Sequence, residues 1–272
     1  MSMSIRTNVA SLNAQHALFN AGNDLQTSMQ RLSSGYRINS SADDAAGMAI
    51  STKMQSQIGG LNQAAMNAQD GMSMIQTAEG ALDEVTSSLQ RMRDLAVQAS
   101  NTGSNGTTAI AAAQAEVDQL VSAIGDIASR TKFNGTSLLA TAGASSLTFQ
   151  VGANSGETLS VSLKDMGVTS LGIGSLSLAS ASTAISALDT AISSVSTQRG
   201  SFGAAQNRLE HTISNLSVTQ ENLAASESRI RDTDMASEMT EFSKSQILMQ
   251  AGTAMLAQAN SAPQNILSLL RG

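Results

Sequence analysis

Apolar positions recur along this chain at alternating spacings of four and three. From residue 54 the series Met54, Ile58, Leu61, Ala65, Ala68, Met72, Ile75, Glu79, Leu82, Thr86 and Leu89 keeps that rhythm, and nine of its eleven members are apolar or alanine. A 4-3 repeat brings an apolar side chain back to one seam of an α-helix, which is the coiled-coil signature. Residues 56–100 therefore read as one helix of about 45 residues, roughly 65–70 Å long at 1.5 Å per residue. A second long seam starts near Ile185 and is clearest at Leu209, Ile213, Leu216, Gln220, Leu223, Glu227 and Ile230. A shorter helix between them presents Val117, Leu120, Ile124 and Ile127 on one face.

Amphipathic segments flank these helices at both ends. Ile5, Val9, Leu12, His16 and Phe19 follow the same spacing near the N-terminus. Met235, Met239, Phe242, Met249 and Leu256 mark the C-terminal segment, where Pro263 is expected to interrupt the helix. The two arms break at comparable distances from their ends, near 35–41 and 231–234. Neither can bury its apolar stripe alone, so the arms are expected to pair.

The rhythm changes in the middle of the chain. "SNTGSNGTT", 100–108, is a turn cluster. "FNGTSLL", 133–139, opens a stretch richer in Gly, Ser and Thr. "SLTFQVG" (146–152) and "ETLSVSL" (157–163) alternate apolar and polar residues around "ANSGE", a β-hairpin signal. Residues 165–182 read as irregular. The predicted fold is mainly α: a long α-helical coiled-coil bundle formed by the N- and C-terminal halves, with a small β-hairpin region at about 133–182.

Composition narrows the picture. The 272 residues are 13% charged, about half the usual content, and only 2% aromatic with no Trp. Such a chain favours helices packed side by side over one compact core. Cysteine is absent, so there is no disulfide framework and no thiolate chemistry. The net charge of −6 without a basic cluster argues against nucleic acid. The opening "MSMSIRTNVASLNAQ" has no apolar core of a signal peptide. Residues 245–270 are free of charge, but their glutamines and asparagines would be costly in lipid, so no membrane insertion is expected. The 14 methionines suit seams that repack.

Catalytic chemistry finds no support. His16 and His211 are the only histidines, and neither has a carboxylate or second histidine at ligand spacing. "GIGSLS", 172–177, lacks the third glycine of a dinucleotide loop. Asp43 and Asp44 are adjacent and would point apart on a helix. The chain is therefore expected to be no enzyme and to hold no metal or cofactor. A signalling coiled coil is the rival reading, but it should be almost wholly helical.

One short stretch concentrates charge: "RLSSGYRINSSADDAAGMAI", 31–50. Ser41 suits an N-cap with Asp44 at the third helical position, and Asp43 and Asp44 suit a first turn. Gly35 suits the left-handed stop of the preceding helix. Arg31 and Arg37 need partners on a neighbouring segment or subunit.

This stretch, extended to "LQTSMQRLSSGYRINSSADDAAGMAI", resembles the N-terminal signature of bacterial flagellin. The likeness continues in "AQDGMSMIQTAEGALDEVTSSLQRMRDLAVQASN", "FNGTSLL", "FQVGANSGE", "GAAQNRLEHTISNL", "ASESRIRDTDMASE" and "QAGTAMLAQANSAPQNILSLL". The resemblance implies a structural subunit that self-assembles into the extracellular filament for swimming. Residues 1–40 and 232–272 would form the terminal coiled-coil arms (D0), with a core stripe of Ile5, Val9, Leu12, Phe19, Met249, Leu256, Leu267 and Leu270. Residues 41–231 would form the helical bundle (D1), with no large variable outer domain. Arg31, Arg37, Asp43 and Asp44 would lie in the spoke that touches neighbouring subunits. Implied partners are further copies, the flagellar cap and hook-junction proteins, and an export chaperone on the C-terminal arm. An innate immune receptor would read Arg91, Leu95, Gln98 and Glu116, with Asp94 replacing the commoner Glu. Export would proceed without a cleaved signal peptide. A hook–filament junction protein is the alternative within the family.

Overall fold

A computed structural model describes residues 7–101, 106–140 and 145–271, with side chains as far as residue 261. Ile5, Leu267 and Leu270 of the expected stripe lie outside the described side chains. In chain order the elements are α1 (Val9–Ser34), α2 (Ala45–Ser100), α3 (Thr107–Arg130), β1 (Lys132–Phe133), β2 (Thr136–Ser137), β3 (Ser145–Gln150), β4 (Thr158–Leu163), a short 3-10 turn (Leu178–Ser180), α4 (Ala181–Arg231) and α5 (Met235–Arg271). The chain divides into two compact units: residues 57–221, and Met1–Ser56 with Asn222–Gly272. The fold is mainly helical, with a small antiparallel β region in the middle, as the pattern predicted.

In the 57–221 unit the core follows heptad seams, one of them shifted in phase from the reading above. On α2 the buried seam is Leu61, Ala64, Ala68, Gly71, Ile75, Ala78, Leu82, Val85, Leu89, Met92, Ala96 and Ala99, with Leu95 buried beside it. Alternate members match the predicted seam. The others fall one residue earlier, on Ala64, Gly71, Ala78 and Val85, and this leaves Glu79 and Thr86 at the flank. On α4 the buried seam is Ala184, Leu188, Ala191, Val195, Gln198, Phe202, Ala205 and Leu209. Val117, Ile124 and Ala128 of α3 join the same core. So do Met166, Leu171, Ile173 and Leu178 from the segment read as irregular.

The hairpin falls where alternation placed it. β3 and β4 pair antiparallel with Leu147 opposite Val161 and Phe149 opposite Leu159. Successive β4 residues alternate exposed and buried, so one face joins the helices. Three contacts hold it there. The buried Gln198 side chain donates from Nε2 to the Ser162 carbonyl at 2.9 Å, serving an edge that β3 leaves open. Asn67 donates from Nδ2 to the Gln150 carbonyl at 3.1 Å. Two α2 glycines give room: a Cβ on Gly60 would lie 2.9 Å from Ala153 Cβ, and one on Gly71 would lie 3.1 Å from the Phe149 ring. A second, two-residue hairpin joins β1 to β2 through Asn134 and Gly135, both at positive φ. It was too short to register as alternation.

Two expectations fail in the arms. The helix α2 begins at Ala45, not after Ser41. The helix α5 runs through Pro263 to Arg271 without a break. A proline inside a helix removes one N–H and orphans one carbonyl, here that of Ala259. That carbonyl has another donor, described below.

The hairpin seat makes opposite demands at adjacent glycines. Gly60→Leu should destabilise the 57–221 unit by about 2 kcal/mol through overpacking against Ala153. Gly59 has nothing within 4 Å of a built Cβ, so Gly59→Ala should stabilise by up to about 1 kcal/mol through helix propensity. Denaturant unfolding of the monomeric chain, followed by far-UV circular dichroism, measures both.

Candidate assembly interface

The arm unit is built on an antiparallel pair of helices, α1 and α5. The residues of α1 withdrawn from solvent are Ser11, Ala14, Leu18, Ala21, Leu25, Ser28 and Leu32. Those of α5 are Glu238, Phe242, Ser245, Met249, Gly252, Leu256 and Ala259. Each set keeps strict alternation of three and four. Small residues alternate with large ones along both seams, and at the small positions the two helices approach closely. A Cβ on Gly252 would lie 3.3 Å from Leu18 Cδ1, and one on Gly22 would lie 3.8 Å from Met249 Sδ.

This seam corrects the stripe expected on α1. Val9, Leu12 and Phe19 point away from α5, and Phe19 is 66% exposed. On α5, Met249 and Leu256 do face the partner arm, whereas Met235 and Met239 do not. Ile247 (65% exposed), Leu248 and Met255 also lie outward. An open groove runs along the pair, lined by Ala10, Ala14, Ala17 and Ala21 of α1 and by Ala251 and Met255 of α5. The arms thus bury one heptad stripe of mixed small and large residues against each other and leave a second set of large apolar side chains outside.

Two chain breaks, 35–44 and 232–234, close the other end of this unit. Gly35 ends α1 in the left-handed conformation at φ 75°, as expected. Its neighbour Tyr36 forms an isolated antiparallel bridge with Asp232. Thr233 N–H donates to the Gly35 carbonyl at 3.0 Å, and Arg37 N–H donates to the Arg231 carbonyl at 2.7 Å. The Arg37 guanidinium donates to the Ile230 carbonyl at 2.6 Å. Arg37 therefore serves two of the carbonyls that the end of α4 leaves without helical partners. Arg31, in the last turn of α1, pairs with Glu238 in the first turn of α5 at 3.6 Å. Both pairings suit the helix dipoles. Arg231 stacks over the Tyr36 ring at 4.1 Å and lies 3.8 Å from Glu227.

The aspartates divide their work differently from the expected capping box. Asp44 is the cap of α2, its Oδ1 accepting from Gly47 N–H at 2.9 Å. Asp43 stands outside the helix. Its Oδ2 accepts from the Asn39 and Ser40 backbones at 3.1 and 2.8 Å and from Ser40 Oγ at 3.1 Å. These bonds, from Ser40 first, hold its carboxyl below the usual range. Helix α2 starts late because Ser40 and Asp43 are spent on this turn. Gly47 is required beside it: a Cβ there would strike the Asp44 carboxylate and come within 2.8 Å of Cδ1 of the buried Ile38. Asp234 was missed by the sequence reading. It caps α5, accepting from Ala236 and Ser237 N–H at 2.9 and 3.3 Å. The acid just before an amphipathic run was the available signal.

At the tip of the arm pair, Asn8 caps α1 with Oδ1, which accepts from Ser11 N–H at 3.1 Å. Its Nδ2 donates to the Ala259 carbonyl at 2.7 Å. Ser11 Oγ donates to Asn260 Oδ1 at 2.8 Å.

The remaining expected site lies in the 57–221 unit. Arg91 and Glu116 form an exposed ion pair at 2.7 Å, and Glu116 holds the guanidinium above its ordinary pKa. Gln98 is exposed on α2. Leu95 is only 3% exposed and belongs to the core, because it lies beside the α2 seam at Met92 and Ala96. Any surface read here presents Arg91, Gln98 and Glu116 without the leucine. Among the described residues, no helix is long and apolar enough to cross a membrane.

Comparison with known proteins agrees with these features. Residues 5–144 match the bacterial flagellin N-terminal helical region, and residues 185–270 match the bacterial flagellin C-terminal helical region. Flagellin of Bacillus subtilis is 48% identical over 304 residues, covering 99% of this chain and 100% of that one. Flagellin of Halalkalibacterium halodurans is 50% identical over 274 residues, with the same coverage. The flagellar filament 33 kDa core protein of Treponema phagedenis is 46% identical, again over 99% of this chain. A crystal structure of Bacillus cereus flagellin aligns with a TM-score of 0.51 at 37% identity. It covers 60% of this chain and 94% of that one.

Asp44→Ala should cost about 1 kcal/mol through loss of the α2 cap. The Asp43 carboxyl should titrate below an ordinary aspartate by NMR. Its folded pKa is depressed, so its contribution is present above the unfolded aspartate pKa and fades as pH falls through the folded value. An Asp43 midpoint at the usual carboxylate position would show the turn to be open in solution.

Proposed function

This chain belongs to the bacterial flagellins, structural subunits of the flagellar filament, and from that premise we propose that its arm unit is the inner, tube-forming part of the filament. The family is structural rather than enzymatic. The observation that carries the proposal is the outward exposure of Val9, Leu12, Phe19, Ile247, Leu248 and Met255 on two helices that already satisfy each other. A monomer gains nothing from exposing such side chains together, whereas further copies of the arms would cover them. Head-to-tail contacts that do not close produce a helical filament.

Charge supports the same division. The arm unit holds eight cationic and eight anionic side chains, so the whole net charge of −6 sits in residues 57–221. A neutral inner layer avoids stacking like charge where burial would make it costly. We assign residues 57–221 to the outer layer, and the 35–44 and 232–234 breaks to the spoke. Arg31, Arg37, Asp43 and Asp44 act there by fixing the spoke within one subunit, which sets the surface offered to the next. Export through the flagellar channel, a chaperone on the C-terminal arm, the cap and hook-junction proteins as end partners, and receptor recognition at Arg91, Gln98 and Glu116 all belong to this reading.

Phe19→Glu and Ile247→Glu each test it. Electron microscopy after seeding should show wild-type filaments. The variants should need at least a roughly tenfold higher critical concentration, a change of about 1.4 kcal/mol. The far-UV helical signal of residues 57–221 should persist. Normal filament growth from both variants would remove these outward side chains from the assembly contacts.

A further inference from the structure

The seam between α1 and α5 has a register problem. Small residues (Ala14, Ala21, Ser28; Ser245, Gly252, Ala259) alternate with large ones (Leu18, Leu25, Leu32; Phe242, Met249, Leu256) at a spacing of seven, so a shift of one heptad sets much the same residues against each other. Something outside the apolar seam must choose the register. At the breaks, the Tyr36–Asp232 bridge and the Arg31–Glu238 pair hold one end of the antiparallel pair. The other end lies more than twenty residues away along α1, and there the structure holds a single group with two matched jobs.

That group is the Asn8 side chain amide. Its oxygen takes the Ser11 N–H, one of the unpaired donors at the start of α1. Its nitrogen gives a hydrogen bond to the Ala259 carbonyl at 2.7 Å. In an uninterrupted helix that carbonyl would accept from the N–H of residue 263, and residue 263 is the only proline in the chain. Proline has no N–H to give. Pro263 therefore marks one carbonyl of α5 as vacant, and Asn8 is the donor that finds it. Elsewhere along the described part of α5 the helix answers its own carbonyls, so sliding α1 by one turn would leave Ala259 orphaned and aim Asn8 at an occupied oxygen. An unmet backbone carbonyl in a seam is costly, and this cost falls on every wrong register. Ser11 Oγ on Asn260 Oδ1 adds a second polar contact in the same register.

We infer that Asn8 and Pro263 act together as a register lock, positioning α1 on α5 by pairing one surplus donor with the one carbonyl that the proline vacates. The relative positions of the outward large apolar side chains on the two helices follow from that register, so the lock sets the surface offered for assembly. The inference rests on the arms being an assembly layer, and filament formation by the wild-type chain tests that premise separately.

The experiment is a double-mutant cycle on filaments of the full chain, read as the thermal midpoint of depolymerisation. Asn8→Asp keeps the cap oxygen but replaces the donor with a second oxygen facing the carbonyl. Asn8→Ser keeps a cap and adds no charge. Pro263→Ala restores the missing N–H. Either Asn8 variant should lower the midpoint by roughly 3 °C or more in the proline background. In the Pro263→Ala background the same change should lose at least half of that effect. If an Asn8 variant fails to polymerise at all, the readout becomes rescue of seeded growth by Pro263→Ala. Equal losses in both backgrounds, no loss in either, or failure of that rescue would overturn the lock and leave Asn8 as an ordinary helix cap.

Discussion

Two helices can bring their backbones together only where the side chains between them are small, and this condition governs the arm unit. The α1–α5 seam carries Ala14, Ala21, Gly252 and Ala259 among its leucines, with Ser28 and Ser245 buried beside them. Close packing of this kind gains dispersion contacts rather than large buried area. Phe19, Ile247 and Met255 fall off the three-four rhythm of that seam, so they stand outside it. The apolar surface needed for assembly is therefore a by-product of the way the subunit folds.

The same economy appears at the helix ends. A chain with 13% charged residues places several of them where helices stop and start. Arg37 serves α4, Asp44 serves α2, Asp234 serves α5, and Asp43 holds the turn between α1 and α2. Each end is satisfied by a segment distant in sequence or by the adjoining turn. The two breaks consequently form only when both arms are present, because Arg37 needs the α4 terminus and Thr233 needs Gly35. Local capping is here made conditional on long-range pairing, which couples arm folding to spoke formation.

Much of this was legible in the sequence. Heptad spacing located the long helices, alternation located β3 and β4, and Gly35 announced the end of α1. The seams that failed did so in phase. Ala64 and Ala78 are inside where Ala65 and Glu79 were expected, and Ala14 and Leu18 are inside where Leu12 and Phe19 were expected. A 4-3 series stays regular when alternate members move by one residue, so spacing alone leaves the phase open. The start of α2 was misplaced for a different reason: Ser41 satisfies the capping rule as well as Asp44 does, and only the competing turn built on Asp43 decides between them. Leu95 was placed on a surface by motif, although its spacing from Leu82, Leu89 and Met92 puts it beside the core seam.

Pro263 illustrates how a rule can be right in energy and wrong in outcome. Proline in a helix interior costs about 3 kcal/mol relative to alanine, and most of that cost comes from a lost hydrogen bond and a crowded carbonyl. The rule assumes that the helix stands alone. In α5 the released carbonyl is met by Asn8 from the neighbouring helix, so part of the penalty is returned as an interaction between helices. A defect in one helix becomes an address for another. In a seam whose small and large residues repeat every heptad, where side chain shape says little about register, such an address carries information that the apolar contacts do not. It can do so at one position only: every further proline would weaken the helix that has to present it.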